Sequence, residues 1–160
     1  MKELLGLSGK TILVTGCEGM LGTAFTEILR NLTDVNLEAC AHNRLDVTDY
    51  NSVLQFADCS PDIVIHCAAE VDAERCQKNP DECRRVQVEG TRNIVALSKA
   101  TGAKILYPQS FLIFDGSVIP ILETTSPSPI SIYGKYKFEA EQIVRGATDS
   151  SLVLRMAGFF

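Results

Sequence analysis

The segment Tyr133-Gly134-Lys135-Tyr136-Lys137 sets a phenol and an ammonium four residues apart. On a helix, positions i and i+4 share a face, so Tyr133 and Lys137 become neighbours. A phenol with an ordinary pKa of about 10 exchanges protons poorly at neutral pH. An adjacent ammonium favours the phenolate, lowers that pKa and makes the pair useful in acid–base chemistry. Tyr136 and Lys135 have no such partner. Surface helices carry the same spacing without any chemistry, so the pair gains meaning only beside a bound reactant.

A second group supplies a place for one. Thr15-Gly16-Cys17-Glu18-Gly19-Met20-Leu21-Gly22 follows the apolar run Thr11-Ile12-Leu13-Val14-Thr15 and opens a helical pattern. A dinucleotide pyrophosphate needs a backbone that turns sharply, approaches closely and offers free amides at a helix N-terminus. Gly16 is expected to make the turn, the amides around Gly19, Met20 and Leu21 to face the phosphates, and Gly22 to let the helix pack. Glycine spacing alone is weak, but between a strand and an amphipathic helix it is specific.

Two further loops extend this site. The second strand runs into Ala41-His42-Asn43-Arg44 with no carboxylate for a ribose 2′-hydroxyl. Arg44 is therefore assigned to a 2′-phosphate, which favours NADPH over NADH; a merely solvated arginine is the alternative. In Leu45-Asp46-Val47-Thr48-Asp49, Asp46 is expected to accept from an adenine amino group with Val47 against the ring. The alternative is that Asp46 or Thr48 caps the next helix. Small residues in His66-Cys67-Ala68-Ala69 would let the third strand's end approach the cofactor through Cys67, Ala68 and Ala69. His66 itself reads as a packed strand-end residue.

The elements that must position these groups alternate between strand and helix, the pattern of βαβ units. Strands are expected at Thr11–Thr15, Asn36–Ala41, Asp62–His66, Lys104–Tyr107 and Ser151–Arg155. Helices are expected from about Gly19, from about Asp49, from Pro80 to a C′ glycine at Gly102, and from Ser131 to Gly146. The polar stretch between Gln109 and Ser131 is long enough to be functional or mobile. The fold class is α/β, a doubly wound parallel sheet in the order 3-2-1-4-5. A ligand crevice is expected where that order reverses beside strand one.

A length of 160 residues suits one domain, and 46% apolar with 22% charged residues is an ordinary globular balance. A net charge of −5 without a basic patch argues against nucleic acid and against a membrane surface. No segment approaches the ~20 apolar residues of a membrane span, and the first residues lack a signal peptide's apolar stretch. The six cysteines, Cys17, Cys40, Cys59, Cys67, Cys76 and Cys83, form no CxxC pair and no metal-binding spacing. They are expected to be reduced thiols in a cytoplasmic protein without a metal.

Together these pieces resemble the extended short-chain dehydrogenase/reductase family, and within it the dTDP-4-dehydrorhamnose reductase (RmlD) branch. The resemblance rests on Thr15–Gly22, Leu45–Asp49, Pro61–Ala69, Val88-Glu89-Gly90-Thr91-Arg92-Asn93, Phe114-Asp115-Gly116 and Tyr133–Lys137. It implies that Tyr133 protonates a carbonyl as hydride leaves the nicotinamide. Lys137 would hold the nicotinamide ribose, and Ser110 would hydrogen-bond the carbonyl. The implied reaction is reduction of a 4-keto sugar nucleotide by NADPH, with NADH an open alternative and a homodimer an open assembly.

Three departures keep other readings alive. Gln109-Ser110-Phe111 replaces the family's Ser-Thr-Asp, and Gln87 replaces an Asn. The chain also stops at Phe160, so residues 1–160 are expected to be the NAD(P)-binding domain without the C-terminal substrate region. A non-catalytic NADP-binding regulatory subunit like the methionine adenosyltransferase β subunit is the main alternative. A sugar-nucleotide epimerase is another; a dehydratase is disfavoured because Phe111-Leu112 lacks an acid pair.

Overall fold

The computed structural model describes residues 6–147 and 150–157. Five parallel strands, β1 (Thr11–Thr15), β2 (Asn36–Cys40), β3 (Ile63–His66), β4 (Lys104–Ser110) and β5 (Ser151–Met156), form one sheet in the order β2-β1-β3-β4-β5. Helix α1 (Met20–Arg30) joins β1 to β2, and α2 (Tyr50–Leu54) with a 3-10 turn joins β2 to β3. Between β3 and β4 run α3 (Ala73–Lys78), α4 (Pro80–Arg84) and α5 (Gly90–Thr101), and α6 (Ile132–Ala147) precedes β5.

Side chains alternate across the sheet, and each face has its own core. Ile12, Val14 and Ile65 pack with Leu29 and Phe25 of α1 on one face. Leu13, Val64, Ile105 and Tyr107 pack with α5 (Ile94, Leu97) and α6 (Ala140, Val144) on the other. Layers on both faces are what a parallel sheet requires.

The expected strand order is corrected in one respect: β3 lies beside β1, inside the sheet, rather than outside β2. Composition explains this. The run Ile63-Val64-Ile65-His66 is apolar and almost wholly buried, whereas β2 carries Asn36 and Glu38 and tolerates the edge. Asp62 locks the choice: its amide donates to Thr11 O at 2.8 Å, and its carboxylate accepts from Thr11 N at 2.9 Å and Lys10 Nζ at 2.7 Å. β2 and β3 flank β1 on opposite sides, so the order still reverses beside β1.

Two other differences bear on the site. β4 continues past the expected end at Tyr107 and stays paired with β5 to Ser110↔Met156, which puts Ser110 at the end of the strand. The helix expected from Pro80 to Gly102 is present but widens into a π turn over Arg85–Glu89, which buries Gln87 and Val88. It ends at Gly102, with φ +76°, as expected.

Helix α3 was not legible as an element; Asp72 caps it, accepting from Glu74 N and Arg75 N. It folds back on α4 at Asn79-Pro80 and brings Cys76 and Cys83, buried and seven residues apart, into a disulfide. The expectation of reduced thiols is overturned for that pair, while Cys17, Cys40, Cys59 and Cys67 are free. Among the described residues no helix is long and apolar enough to cross a membrane.

Candidate cofactor and carbonyl site

The site lies where the C-terminal ends of β1, β3 and β4 meet the N-terminus of α1. Gly16 has φ +64°, the left-handed region where a side chain is strained. A Cβ there would stand 2.8 Å from Ala68 Cα and Ala68 N, so the β1 turn and the end of β3 are in backbone contact. A Cβ on Gly22 would lie 2.1 Å from Gly16 O, so α1 closes directly onto the turn.

Gly19 is different. A Cβ there would meet only Gly16 O at 3.4 Å, so the protein's own packing does not demand glycine. Its amide donates to Gly16 O at 3.1 Å and closes the turn, which corrects the expectation that it faces a phosphate. The first amides of α1, those of Met20 and Leu21, have no carbonyl of their own helix to reach, and no side chain caps them. They form the positive end of the helix, a donor set suited to a pyrophosphate.

On the β2 side the side chains are already engaged. Arg44 donates to Glu38 Oε2 at 2.5 Å and lies over the Phe56 ring, 5.6 Å from its centroid. The pair is partly exposed, and such pairs contribute only about 0–1 kcal/mol, so a doubly charged phosphate could displace Glu38. Asp46 accepts from both the amide and the hydroxyl of Thr48 at 2.8 Å. Burial pulls its carboxyl up, but the Thr48 bonds prevail and hold it below the usual carboxylate range. Helix α2 is capped by Asp49, not by Asp46 or Thr48. Val47 is buried in the core beneath Gly90, so its backbone, rather than its side chain, is what it can offer a ligand.

At the end of β3, His66 is buried and both ring nitrogens are satisfied. Thr15 Oγ1 accepts from Ala68 N at 3.1 Å and lies 2.9 Å from His66 Nδ1. Thr91 Oγ1 donates to Gln87 O at 2.6 Å, so it accepts from His66 Nε2 at 3.2 Å. The Thr91 bond assigns a proton to Nε2, and in the neutral ring that burial favours, Nδ1 accepts from the Thr15 hydroxyl. Burial, assisted by the Lys137 charge, pulls the imidazole down to about 3. His66 is thus a strand-end tie, not a base. Beside it the half-buried Cys67 thiol is pushed up to about 12 by burial, with Lys137 opposing. Ala68 and Ala69 follow as small, partly exposed residues, Ala68 in backbone contact with the turn.

β4 and α6 bring the three expected catalytic groups into one place. Tyr133 and Lys137 are buried on the same face of α6, and the Ser110 side chain is near enough to the Tyr133 phenol to pull its pKa down. Ser110 Oγ also accepts from Leu112 N at 3.1 Å, which turns the chain off β4. Gly134 is required between the two: a Cβ there would be 2.3 Å from Leu112 O.

The electrostatics differ from the expectation. Lys137 Nζ donates to Pro108 O at 2.8 Å and lies 4.1 Å from the Tyr107 ring centroid. Burial pulls Lys137 down to about 7, against the opposing influence of Cys67 and Glu141. The Tyr133 phenol is raised by burial, and the nearby Ser110 hydroxyl only partly offsets this. Lys137 therefore does not lower the Tyr133 pKa in this state; its ammonium points at a carbonyl instead.

A buried polar network behind these groups was missed in the sequence. Gln109 donates to Lys137 O and to Glu141 Oε2, both at 2.9 Å, and accepts from Ser110 N at 2.8 Å. Glu141 accepts from Arg155 at 2.6 Å. The available signal was Glu141 four residues beyond Lys137, on the same helical face. An open cleft of about 660 Å³ flanks β5 beside this network, lined by Glu123, Glu141, Arg145, Arg155 and Met156 among others. Phe111, in place of the expected acid, is exposed. Among the described residues no group of His, Cys, Asp and Glu is arranged to hold a metal.

A family model described as the RmlD substrate binding domain matches residues 10–160. The chain is 29% identical over 165 residues to methionine adenosyltransferase 2 subunit beta of Bos taurus, covering 98% of this chain and 49% of that protein. Among solved structures it resembles dTDP-4-dehydrorhamnose reductase from Bacillus anthracis in complex with NADP, with a TM-score of 0.85 and 28% identity. That match covers 92% of this chain and 53% of the other. The dTDP-4-dehydrorhamnose reductase from Yersinia enterocolitica gives a TM-score of 0.86 and 31% identity, covering 92% and 52%. The chain spans about half the length of the proteins it matches.

Proposed function

Starting from a chain that belongs to the RmlD substrate binding domain family, we propose that it is the NADPH-binding portion of a reductase acting on a 4-keto sugar nucleotide. The observation that carries this reading is the convergence of Ser110, at the end of β4, with buried Tyr133 and Lys137 one turn apart on α6, Gln109 tying Ser110 N to Lys137 O. The glycine turn stands at the mouth of the same crevice.

The residues present fit a dinucleotide. Gly19 has room that the protein's packing does not use, and Met20 and Leu21 offer unpaired amides. Asp46, the Val47 backbone and the Cys67-Ala68-Ala69 segment line the route from adenine to nicotinamide. Arg44, released from Glu38, would meet a 2′-phosphate; NADH is the alternative if it stays paired. Bound there, the cofactor supplies a hydride.

The chain's own groups handle the proton. Ser110 and Tyr133 hydroxyls both donate to the carbonyl oxygen, and the Tyr133 proton moves to it as negative charge develops. Lys137, once released from Pro108 O, would hold ribose hydroxyls and bring a positive charge behind the phenol, which favours the phenolate left after transfer. The sugar-nucleotide pocket is assigned to a C-terminal region following this domain, and the compartment to the cytoplasm.

The second reading is a non-catalytic NADP-binding regulatory subunit, favoured by exposed Phe111 in place of an acid and by Lys137 resting on Pro108 O. NADPH oxidation by the longest natural form of the chain, offered a 4-keto sugar nucleotide, separates the two. Turnover lost in Tyr133→Phe supports the reductase. Tight NADPH binding without turnover supports the regulatory subunit.

A further inference from the structure

We infer that Gln109 is a positioning residue whose side-chain amide sets the spacing between Ser110 on β4 and the Tyr133–Lys137 face of α6. The inference rests on the reductase reading of the site.

Gln109 is buried, at 2% exposure, and nearly all of its hydrogen-bonding capacity is spent on this one interface. Its carbonyl accepts the amide of Ser110 at 2.8 Å. Its amino group donates to Lys137 O and to Glu141 Oε2, both at 2.9 Å. One side chain therefore holds the backbone of two of the three proposed catalytic residues. Apolar contacts between a helix and a sheet are non-directional and permit sliding. Hydrogen bonds have narrow distance and angle preferences, so these three fix where α6 sits along β4.

The anchor behind Gln109 is equally directional. Glu141 is 1% exposed and takes Arg155 Nη2 at 2.6 Å and Arg155 Nε at 3.3 Å. Arg155 is the β5 residue in register with Gln109. The connection thus runs from Ser110 through Gln109 and Glu141 to the neighbouring strand. A side chain serving only the core would be apolar at this position, since a buried amide must find partners for both ends. Only Asn or Gln offers two donors and an acceptor in one neutral group, and Asn is one methylene shorter.

The test uses the longest natural form of the chain and three variants: Gln109→Met, Gln109→Glu, and Gln109→Glu combined with Glu141→Gln. Met keeps the volume and loses every bond. Glu alone sets a second carboxylate against Glu141 and the Lys137 carbonyl. The double exchange restores one carboxylate, a donor between positions 109 and 141, and an acceptor for Arg155. Two readouts are taken on protein shown to be folded by circular dichroism. One is kcat with its pH profile; the other is the Tyr133 phenol titration, read as the absorbance difference from Tyr133→Phe.

Misplacement of about 1 Å costs on the order of a hundredfold in rate. Gln109→Met is accordingly expected to lose roughly that much in kcat, with KM for NADPH within about threefold. Its phenol should titrate at higher pH, because the Ser110 hydroxyl that lowers it moves away. The double exchange should recover about tenfold or more over Gln109→Glu. A folded Gln109→Met with kcat and phenol titration within about twofold of the parent would overturn the inference. So would a double exchange no better than Gln109→Glu. If Gln109→Met does not fold, the comparison between the single and double exchanges decides. A parent that binds no NADPH defeats the reductase reading itself. A parent that binds it without turnover leaves the phenol titration to decide the positioning claim.

Discussion

Gly16 and Ala68 meet backbone to backbone: a Cβ on Gly16 would lie 2.8 Å from both the Cα and the amide nitrogen of Ala68. The turn after β1 and the end of β3 are thereby one surface. That contact exists because β3 lies directly beside β1, and it places the Cys67–Ala69 segment against the glycine turn.

The three glycines of the turn should separate by experiment. Gly22→Ala forces a Cβ to 2.1 Å from a backbone oxygen and should destabilise the fold by about 1–3 kcal/mol. Gly19→Ala meets only an ordinary contact at 3.4 Å, so its melting temperature should stay close to the parent's. Its NADPH affinity, measured by calorimetry, should nevertheless fall by about tenfold or more, roughly 1.4 kcal/mol. Unchanged affinity in Gly19→Ala would show that the phosphates do not rest there.

Arg44 should tune cofactor choice through Glu38. The two are ion-paired at 2.5 Å, so Glu38 competes with a 2′-phosphate for the guanidinium. Glu38→Gln is expected to tighten NADPH several-fold, on the order of 1 kcal/mol, with little effect on NADH. Arg44→Ala should erase the preference. Equal responses of NADPH and NADH in titrations of both variants would remove Arg44 from the site.

Acid should weaken the fold through His66. Its folded pKa is pulled down to about 3, below the unfolded value near 6.5. As pH falls from about 6.5 toward 3, the unfolded chain binds a proton that the folded chain refuses. Stability is therefore complete above the unfolded pKa and declines by up to roughly 1.4 kcal/mol per pH unit across that window. Urea melts between pH 7 and 4 should show this slope in the parent and a shallower one in His66→Asn. Parallel slopes would contradict the neutral buried ring.

Much of this site was legible because its signals are local. The turn from Thr15 to Gly22 needs only a strand, three glycines and a helix in sequence, and Tyr133 and Lys137 need only helical periodicity. The strand order was not local: whether Ile63–His66 takes the edge or the interior depends on β2 being the more polar competitor. The direction of Lys137 was equally hidden, since i, i+4 spacing fixes a shared face but not which carbonyl the ammonium reaches. Gln109, Glu141 and Arg155 come together from three elements, so no window of sequence contains their bonds. Cys76–Cys83 was missed because α3 itself went unread, and the corner at Asn79-Pro80 makes the pair.

The central claim is that Ser110, Tyr133 and Lys137 turn a bound dinucleotide into a hydride donor for a carbonyl. It is tested most directly by following NADPH absorbance in the longest natural form of the chain with a 4-keto sugar nucleotide, for the parent and for Tyr133→Phe. The account predicts turnover by the parent, and in Tyr133→Phe a loss of about a hundredfold or more in kcat with NADPH affinity within about threefold. NADPH bound tightly by both, with no oxidation by either, would contradict it.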